Sequence, residues 1–341
     1  MYGRERPSSF VIQRNKAMKA ITYHNYGSPE VLTLSEVKKP KINPDEVLVK
    51  VYASSITTAD SMMRQGTPKF GRIFLGLNGP KKNVIGTGFA GVIMEIGENV
   101  THFNIGDRVF GETSTDFGAH AEFLKISEDG VLMDMPDFLE FEEAALLCDG
   151  PLTSFNFLRN IHFTTSSDRV LINGAAGSLG TAAIQIAKYF GANVTAVCSR
   201  KNFDFVRSLG ADHCIDYHEI DFTETQNEYD VIFDTVGKSS FTKSKKVLSR
   251  NGEYLSPVLG GNMLWSVLKT SFISDKRALF SATGLKNAND LRKDLEEVLQ
   301  IIEKGKLRPA IDRLWSMEEV AEAHEIIDSG HKRGNFVLQV A

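Results

Sequence analysis

The residues best suited to chemistry form one run: the apolar Val170-Leu171-Ile172-Asn173, then Gly174-Ala175-Ala176-Gly177-Ser178-Leu179-Gly180, then the helix-periodic stretch Thr181–Phe190. Glycines between a buried strand and an amphipathic helix let the backbone turn tightly and approach a pyrophosphate. The free amides and the dipole at the helix start favour its negative charge. Gly177, Ser178, Leu179 and Gly180 are therefore expected to hold the phosphates of a dinucleotide. A purely structural turn is the competing reading, and the strand–turn–helix context weighs against it. The kind of dinucleotide is read one strand later. Where an NAD-binding chain usually carries Asp or Glu for the ribose hydroxyls, this sequence has Cys198-Ser199-Arg200-Lys201. A hydroxyl at Ser199 followed by the cations Arg200 and Lys201 suits a 2′-phosphate, which predicts NADPH. The bland alternative is that both cations only solvate a loop.

Metal chemistry has no comparable support. Cys148, Cys198 and Cys214 lie far apart without Cys-x-x-Cys or Cys/His spacing, so neither a metal site nor a disulfide framework is expected. Thiols in or beside apolar strands read as small buried hydrophobes. The eight histidines are scattered without triad partners, and no Gly-x-Ser-x-Gly elbow occurs.

The elements that must position the glycine turn follow from length and periodicity. A chain of 341 residues exceeds what one core usually supports, so two domains are expected. From Met18 to about Phe141, short strands such as Glu46–Tyr52, Gly91–Ile96 and Ala121–Ile126 are broken by Gly and Pro, which reads as a β-rich module. From Arg169 the pattern becomes strand, helix, strand, with strands at Val170–Asn173, Val194–Cys198, Cys214–Asp216, Val231–Asp234 and Tyr254–Ser256. That alternation predicts an α/β, doubly wound parallel sheet. A further strand is expected near Ser281–Thr283, helices over Leu291–Lys304 and Glu318–Ser329, and a last strand, Asn335–Val340, able to complete the first module's sheet. Residues 1–17, with Arg4, Arg6, Arg14 and Lys16 but no apolar core, read as a loose N-terminal extension or an organellar address. No apolar run reaches the roughly 20 residues of a membrane span. The net charge of −4 comes from mixed signs, so nucleic acid is not an expected partner and a cytoplasmic protein acting on small molecules is.

Taken with these residues, the chain from Met18 to Val340 resembles the quinone oxidoreductase branch of the medium-chain dehydrogenase/reductase superfamily, the zeta-crystallin-like proteins. The match includes Val51-Tyr52-Ala53 leading to Asp60, Gly86-Thr87-Gly88-Phe89-Ala90-Gly91-Val92, Asn104-Ile105-Gly106-Asp107-Arg108-Val109 and Phe117-Gly118-Ala119-His120-Ala121-Glu122. It continues through Phe141-Glu142-Glu143-Ala144-Ala145, Gly210-Ala211-Asp212 and Asp234-Thr235-Val236-Gly237. The resemblance implies a GroES-like substrate domain over 18–145 and 285–341 around a Rossmann NADPH-binding domain over 146–284, in a homodimer. It also implies roles: Tyr217 near the 2′-phosphate, Thr153, Thr235, Val236 and Leu259 toward the nicotinamide, and Lys332, Arg333, Gly334 and Asn335 folded back on the cofactor. Zinc-containing relatives carry Gly-His-Glu where this chain has Gly86-Thr87-Gly88, and a cysteine ligand where it has Ser55-Ile56-Thr57-Thr58, which implies a zinc-independent member. The sequence departs from the branch at three places. Thr57 stands for the usual Asn, Met62 for a common Lys, and Asp149-Gly150-Pro151-Leu152-Thr153 for Ala-Gly-Leu-Thr, a shifted or tightened turn.

Such a protein transfers hydride from NADPH to a quinone or an α,β-unsaturated carbonyl and must answer the negative charge that develops on oxygen. Thr57 and Tyr52 are candidate donors, Tyr52 being equally readable as a half-buried strand residue. Asp60 reads better as a loop-fixing acceptor than as an acid. Phe70 and Phe74 are candidates to line an apolar acceptor pocket. The alternatives are reduction of another activated alkene, or an NADPH-binding structural or sensing protein with little turnover. The segment Gly260–Trp265 reads as an interface piece or a pocket lid.

Overall fold

The structure, a computed structural model, describes residues 17–273 and 275–341; the N-terminal extension, Ala17 excepted, lies outside the described residues. The first half of the chain runs β1 (Ala17–Thr22), β2 (Thr33–Lys38), β3 (Glu46–Ile56), α1 (Thr58–Gln65), the single turn α2 (Arg72–Leu75), β4 (Gly88–Ile96), β5 (Arg108–Glu112), β6 (Phe123–Ser127), β7 (Val131–Asp134), then the short helices α3 (Phe141–Ala144) and α4 (Gly150–Phe155). Next come β8 (Arg169–Asn173), α5 (Ser178–Tyr189), β9 (Asn193–Cys198), α6 (Phe203–Ser208), β10 (His213–Asp216), β11 (Tyr229–Asp234), α7 (Phe241–Ser244) and β12 (Leu248–Ser256). The chain closes with α8 (Gly261–Ile273), β13 (Arg277–Phe280), α9 (Ala288–Glu303), β14 (Ile311–Trp315), α10 (Val320–Asp328) and β15 (Asn335–Gln339).

Two large sheets organise these elements. A parallel sheet has the order β10-β9-β8-β11-β12-β13, and a second has β14-β15-β3-β4-β5-β7 with β6 on β3. In β3 the residues Val47, Val49 and Val51 share one face and pack against Phe89, Ile93 and Val109, as a period of two requires. The last strand joins this sheet antiparallel to β3, with Phe336 opposite Ile56, so the two chain ends build one unit. Arg64 of α1, fully buried, reaches Asp328 of α10 and fixes the same junction. On the parallel sheet, α5 buries Ala183, Ile184, Ile186 and Ala187 against Val170, Ile172 and Val194. A core shared by both halves collects Ala53, Ala90 and Phe110 from one sheet, Leu146, Leu147 and Leu152 from the connection, and Leu291 and Leu295 from α9.

Four stretches differ from the sequence expectation or sharpen it. The strand expected near Ser281–Thr283 ends at Phe280, because the Ser281 and Thr283 hydroxyls each accept from Asn156 Nδ2 at 3.1 Å and hold a turn. β14 escaped notice because most of its side chains are exposed, which erases the alternation. Asp149–Thr153 is the start of α4, and the chain then makes a π-helical turn over Asn156–Ile161, with His162 N bonding Phe157 O at 3.1 Å. A turn of this kind absorbs one extra residue within a helix. Gly260–Trp265 leads into α8, where Leu264, Trp265 and Leu268 are exposed.

Candidate active site

The parallel sheet changes direction of growth between β8 and β11, and in such sheets a crevice opens beyond the carboxyl ends of those strands. The glycine turn lies there. Gly174 has φ +82°, and a Cβ on it would stand 2.3 Å from Val236 Cγ2. A Cβ on Gly180 would stand 2.3 Å from Gly174 O, so α5 could not close onto β8. Gly177 precedes α5 and no side chain caps its first turn, so the helix start offers backbone amides and its dipole to an anion, with the Gly334 backbone bridged to Gly177 beside it. After β11, buried Asp234 accepts from Asn173 Nδ2 at 2.9 Å, Tyr254 Oη at 2.6 Å and the amides of Gly237 at 3.0 Å and Ser239 at 3.1 Å. Burial and this carboxylate raise the Tyr254 pKa. Thr235 Oγ1 donates to Asn173 O at 2.8 Å, so exposed Val236 is held over the glycine turn, and half-buried Leu259 follows β12 on the same rim.

At the adenosine end, Asp216 pairs with Cys198 in register, which brings Ser199, Arg200 and Tyr217 together. Ser199 Oγ accepts from Asn202, Lys201 is exposed, and Tyr217 is exposed with its ring 4.2 Å from that of His218. Arg200 is engaged: its guanidinium bonds Glu219 at 2.8 Å and 3.1 Å, and its amide bonds Asp216 at 3.2 Å. The cation read from the sequence as free for a phosphate thus has carboxylate partners one strand away.

The C-terminal segment lies on the glycine turn. Gly334 N donates to Ala176 O at 2.8 Å, and Asn335 Oδ1 lies beside Ser178 Oγ. Ser178 Oγ also bonds Asp149 Oδ2 at 2.7 Å, while α4 meets α5 through Ser154 Oγ and Leu179 O at 2.8 Å, with half-buried Thr153 beside it. Lys332 Nζ donates to Ile56 O at 3.1 Å, and Arg333 bonds Asp312 and covers the Phe205 ring. Glu112, at the end of β5, completes a group with Asp149, Asp60 and Lys332. Burial first, then the Asp149 and Asp60 charges, push the Glu112 pKa up to about 8. Burial also raises Asp149, which Lys332 and the Ser178 hydroxyl hold back, and it lowers Lys332.

The residues expected to meet the acceptor are placed differently. Thr57 caps α1 and is buried: its hydroxyl donates to Asp60 Oδ2 at 2.7 Å and accepts from Asp60 N at 3.1 Å. It is therefore committed to the helix and not a free donor, and Asp60 is the loop-fixing acceptor. Tyr52 stacks on Phe141 at 4.7 Å and has Lys50 Nζ 4.9 Å from its ring centroid, the half-buried strand residue of the alternative reading. Phe70 and Phe74 are 59% and 80% exposed and enclose nothing by themselves. Cys148 and Cys198 are buried, with pKa values raised by burial, Cys198 to about 12, so neither is a reactive thiolate. Among the described residues no three His, Cys, Asp or Glu side chains gather as metal ligands would. An open polar depression bordered by Asp129, Asn287, Asp290 and Lys293 shares no residue with this crevice.

Comparison with known proteins fits this arrangement. Residues 43–137 match the alcohol dehydrogenase GroES-like domain, and residues 209–338 match the zinc-binding dehydrogenase family. The chain is 32% identical to tomato 2-methylene-furan-3-one reductase over 94% of its length and 79% of that protein. It belongs to the quinone oxidoreductase branch of the medium-chain dehydrogenase/reductase superfamily. It is also 31% identical to the Arabidopsis thaliana chloroplastic NADPH-dependent alkenal/one oxidoreductase, over 95% of this chain and 80% of that protein. The quinone oxidoreductase of Coxiella burnetii superposes with a TM-score of 0.86 at 32% identity, covering 96% of this chain and all of that one. Within this branch Asp149 is the departure that sequence reading noticed without assigning it a role, and Glu112 went unnoticed. Its signal was faint: it shares strand parity with core residue Phe110, an odd place for a carboxylate.

Proposed function

We propose that the protein is an NADPH-dependent reductase that delivers hydride to an α,β-unsaturated carbonyl or a quinone without a metal. The observation that carries this is the uncapped start of α5 beneath the glycine turn, at the crevice of a chain whose relatives are named as enone, alkenal and quinone reductases. Gly177, Ser178, Leu179 and Gly180 hold the pyrophosphate. Ser199, Lys201, Tyr217 and an Arg200 shared with Glu219 hold the 2′-phosphate. Thr153, Thr235, Val236 and Leu259 border the nicotinamide, with Lys332, Arg333, Gly334 and Asn335 behind it. NADPH, when bound, supplies the hydride. The chain's part is to orient it and to exclude water. Zinc independence rests on the donor set: Thr87, Gly88 and Ser55 offer neither imidazole nor thiolate where the zinc relatives place ligands.

The domain division is part of the same reading. The β-rich unit takes 18–145 and 285–341 and the cofactor unit 146–284, supported by β14 and β15 joining β3. The exposed Leu264, Trp265 and Leu268 on α8, beside edge strand β13, support a homodimer, which light scattering would test. Among the described residues no helix is long and apolar enough to cross a membrane. We place the protein in the cytoplasm, and imaging tagged chains with and without residues 1–17 tests whether that segment redirects it.

The deciding experiment follows NADPH and NADH oxidation with 1,4-benzoquinone, 9,10-phenanthrenequinone and a short enal. NADPH-selective turnover with the enal or a quinone is expected. NADPH binding in a thermal-shift assay with no turnover on any acceptor would overturn the reductase reading in favour of a binding protein.

A further inference from the structure

We propose that Glu112 is the proton donor of this reduction, with Asp149 as its neighbour toward the phosphate-binding helix. The inference rests on the reductase reading above and adds the residue that completes the chemistry.

The geometry comes from three directions. Glu112 closes β5, in register with Gly88 of β4 on one side and Val131 of β7 on the other. Its Oε1 lies 3.2 Å from where a Cβ on Gly284 would sit, which places the carboxyl against the segment joining the parallel sheet to α9. Asp149, from the connection into α4, faces it and is itself bonded to Ser178, the first residue of the phosphate-binding helix. Among the described residues the Glu112 carboxyl has no hydrogen-bond partner, and in the same cluster buried Asp60 leaves Oδ1 unpartnered. A half-buried carboxyl group without an internal partner, one residue removed from the phosphate-binding helix through Asp149, is free to bond a bound acceptor.

The electrostatics divide the labour. The charged and titratable groups around Glu112 are Asp149, Asp60 and Cys148, and Lys332 pairs electrostatically with the first two. Burial raises both carboxyls; Lys332 and the Ser178 hydroxyl oppose it at Asp149, while Glu112 has no such opposition and is pushed up to about 8. Of two neighbouring carboxyls, the one with no cation or hydroxyl supporting its charged form is the one suited to act as an acid.

The step balances. Hydride forms a C–H bond at the acceptor's β-carbon and the conjugated π electrons move onto the carbonyl oxygen. The Glu112 O–H bond breaks, its proton bonds the α-carbon or the oxygen, and the resulting carboxylate takes a proton from water. With a quinone the same proton completes the hydroquinone.

Three measurements on the full chain test this. In Glu112→Gln, kcat with an enal is expected to fall about 100-fold or more while the Kd for NADPH stays within about threefold. The wild-type rate should decline above pH 8, and Asp149→Asn should move that decline to lower pH, a shift that a packing role would not produce. The third readout needs no cofactor. Because the folded pKa of Glu112 is raised, its contribution to stability is complete below the unfolded value and lost as pH rises through about 8. The Tm of Glu112→Gln should therefore gain on that of the wild type as pH rises over that range. If Glu112→Gln misfolds, Glu112→Met carries the same tests. Wild-type kcat in either variant, or a Tm difference that does not change with pH, overturns the proposal. A wild-type protein silent with every acceptor would instead overturn the reductase reading.

Discussion

Two helix starts border the crevice and differ in what they leave open. At α5 the cap is Gly177, which brings no side chain, so no side chain closes the first turn. At α1 the cap is Thr57, whose hydroxyl and amide are both closed onto Asp60 in a reciprocal box. An uncapped start is a liability for the isolated protein and an asset for anion binding; a capped one is a finished scaffold. The sequence reading gave both starts chemical roles, and only the first retains its free groups.

The sharpest way to break this contrast is to fill the α5 turn. Gly180→Val would drive a side chain into Gly174 O and Ala175, costing about 3 kcal/mol of stability by overpacking and strain. Urea denaturation and NADPH titration should show both losses, and an unchanged urea midpoint would mean that the close approach of α5 to β8 is dispensable. A smaller effect is expected at the adenosine end. Arg200→Ala should weaken NADPH about tenfold, or about 1.4 kcal/mol, and leave NADH nearly unaffected. Glu219→Gln releases the same guanidinium and should tighten NADPH binding, so equal effects on both cofactors in either variant would remove Arg200 from the 2′-phosphate site. At the other helix, Thr57→Ala should cost about 1 kcal/mol of stability with little change in NADPH affinity. A large loss of turnover at unchanged stability would restore Thr57 as a donor.

The contrast also explains what was legible in the sequence. A phosphate turn is written in backbone requirements, and Gly174, Gly177 and Gly180 state them within seven residues of contiguous chain. The parallel strands were equally plain, because burial on both faces makes continuous apolar runs such as Val231-Ile232-Phe233. The acceptor side is written in pairings between distant residues. Nothing local reveals that Asp149 meets Ser178 or that Lys332 reaches Ile56, and at the adenosine end the Arg200 pairing with Glu219 is hidden in the same way. The π-helical turn after α4 was hidden for a related reason, since an extra residue shows only as a mismatch until the hydrogen bonds are seen.

The smallest expected effect concerns the surface next to α1. Phe70, Ile73, Phe74 and Leu77 are 59%, 64%, 80% and 71% exposed, an apolar group that buries little within the chain. Since these side chains contribute so little packing, Phe74→Ser should change stability by less than about 0.5 kcal/mol. If the group forms the rim over which an apolar acceptor enters, the same substitution raises KM for a long-chain enal and leaves both kcat and NADPH affinity unchanged, because uniform binding is all it removes. A short enal, too small to reach the rim, should show no change. An equal rise in KM for both enals would place Phe74 at the reacting end of the acceptor, and no rise for either would leave the patch without a part in the reaction.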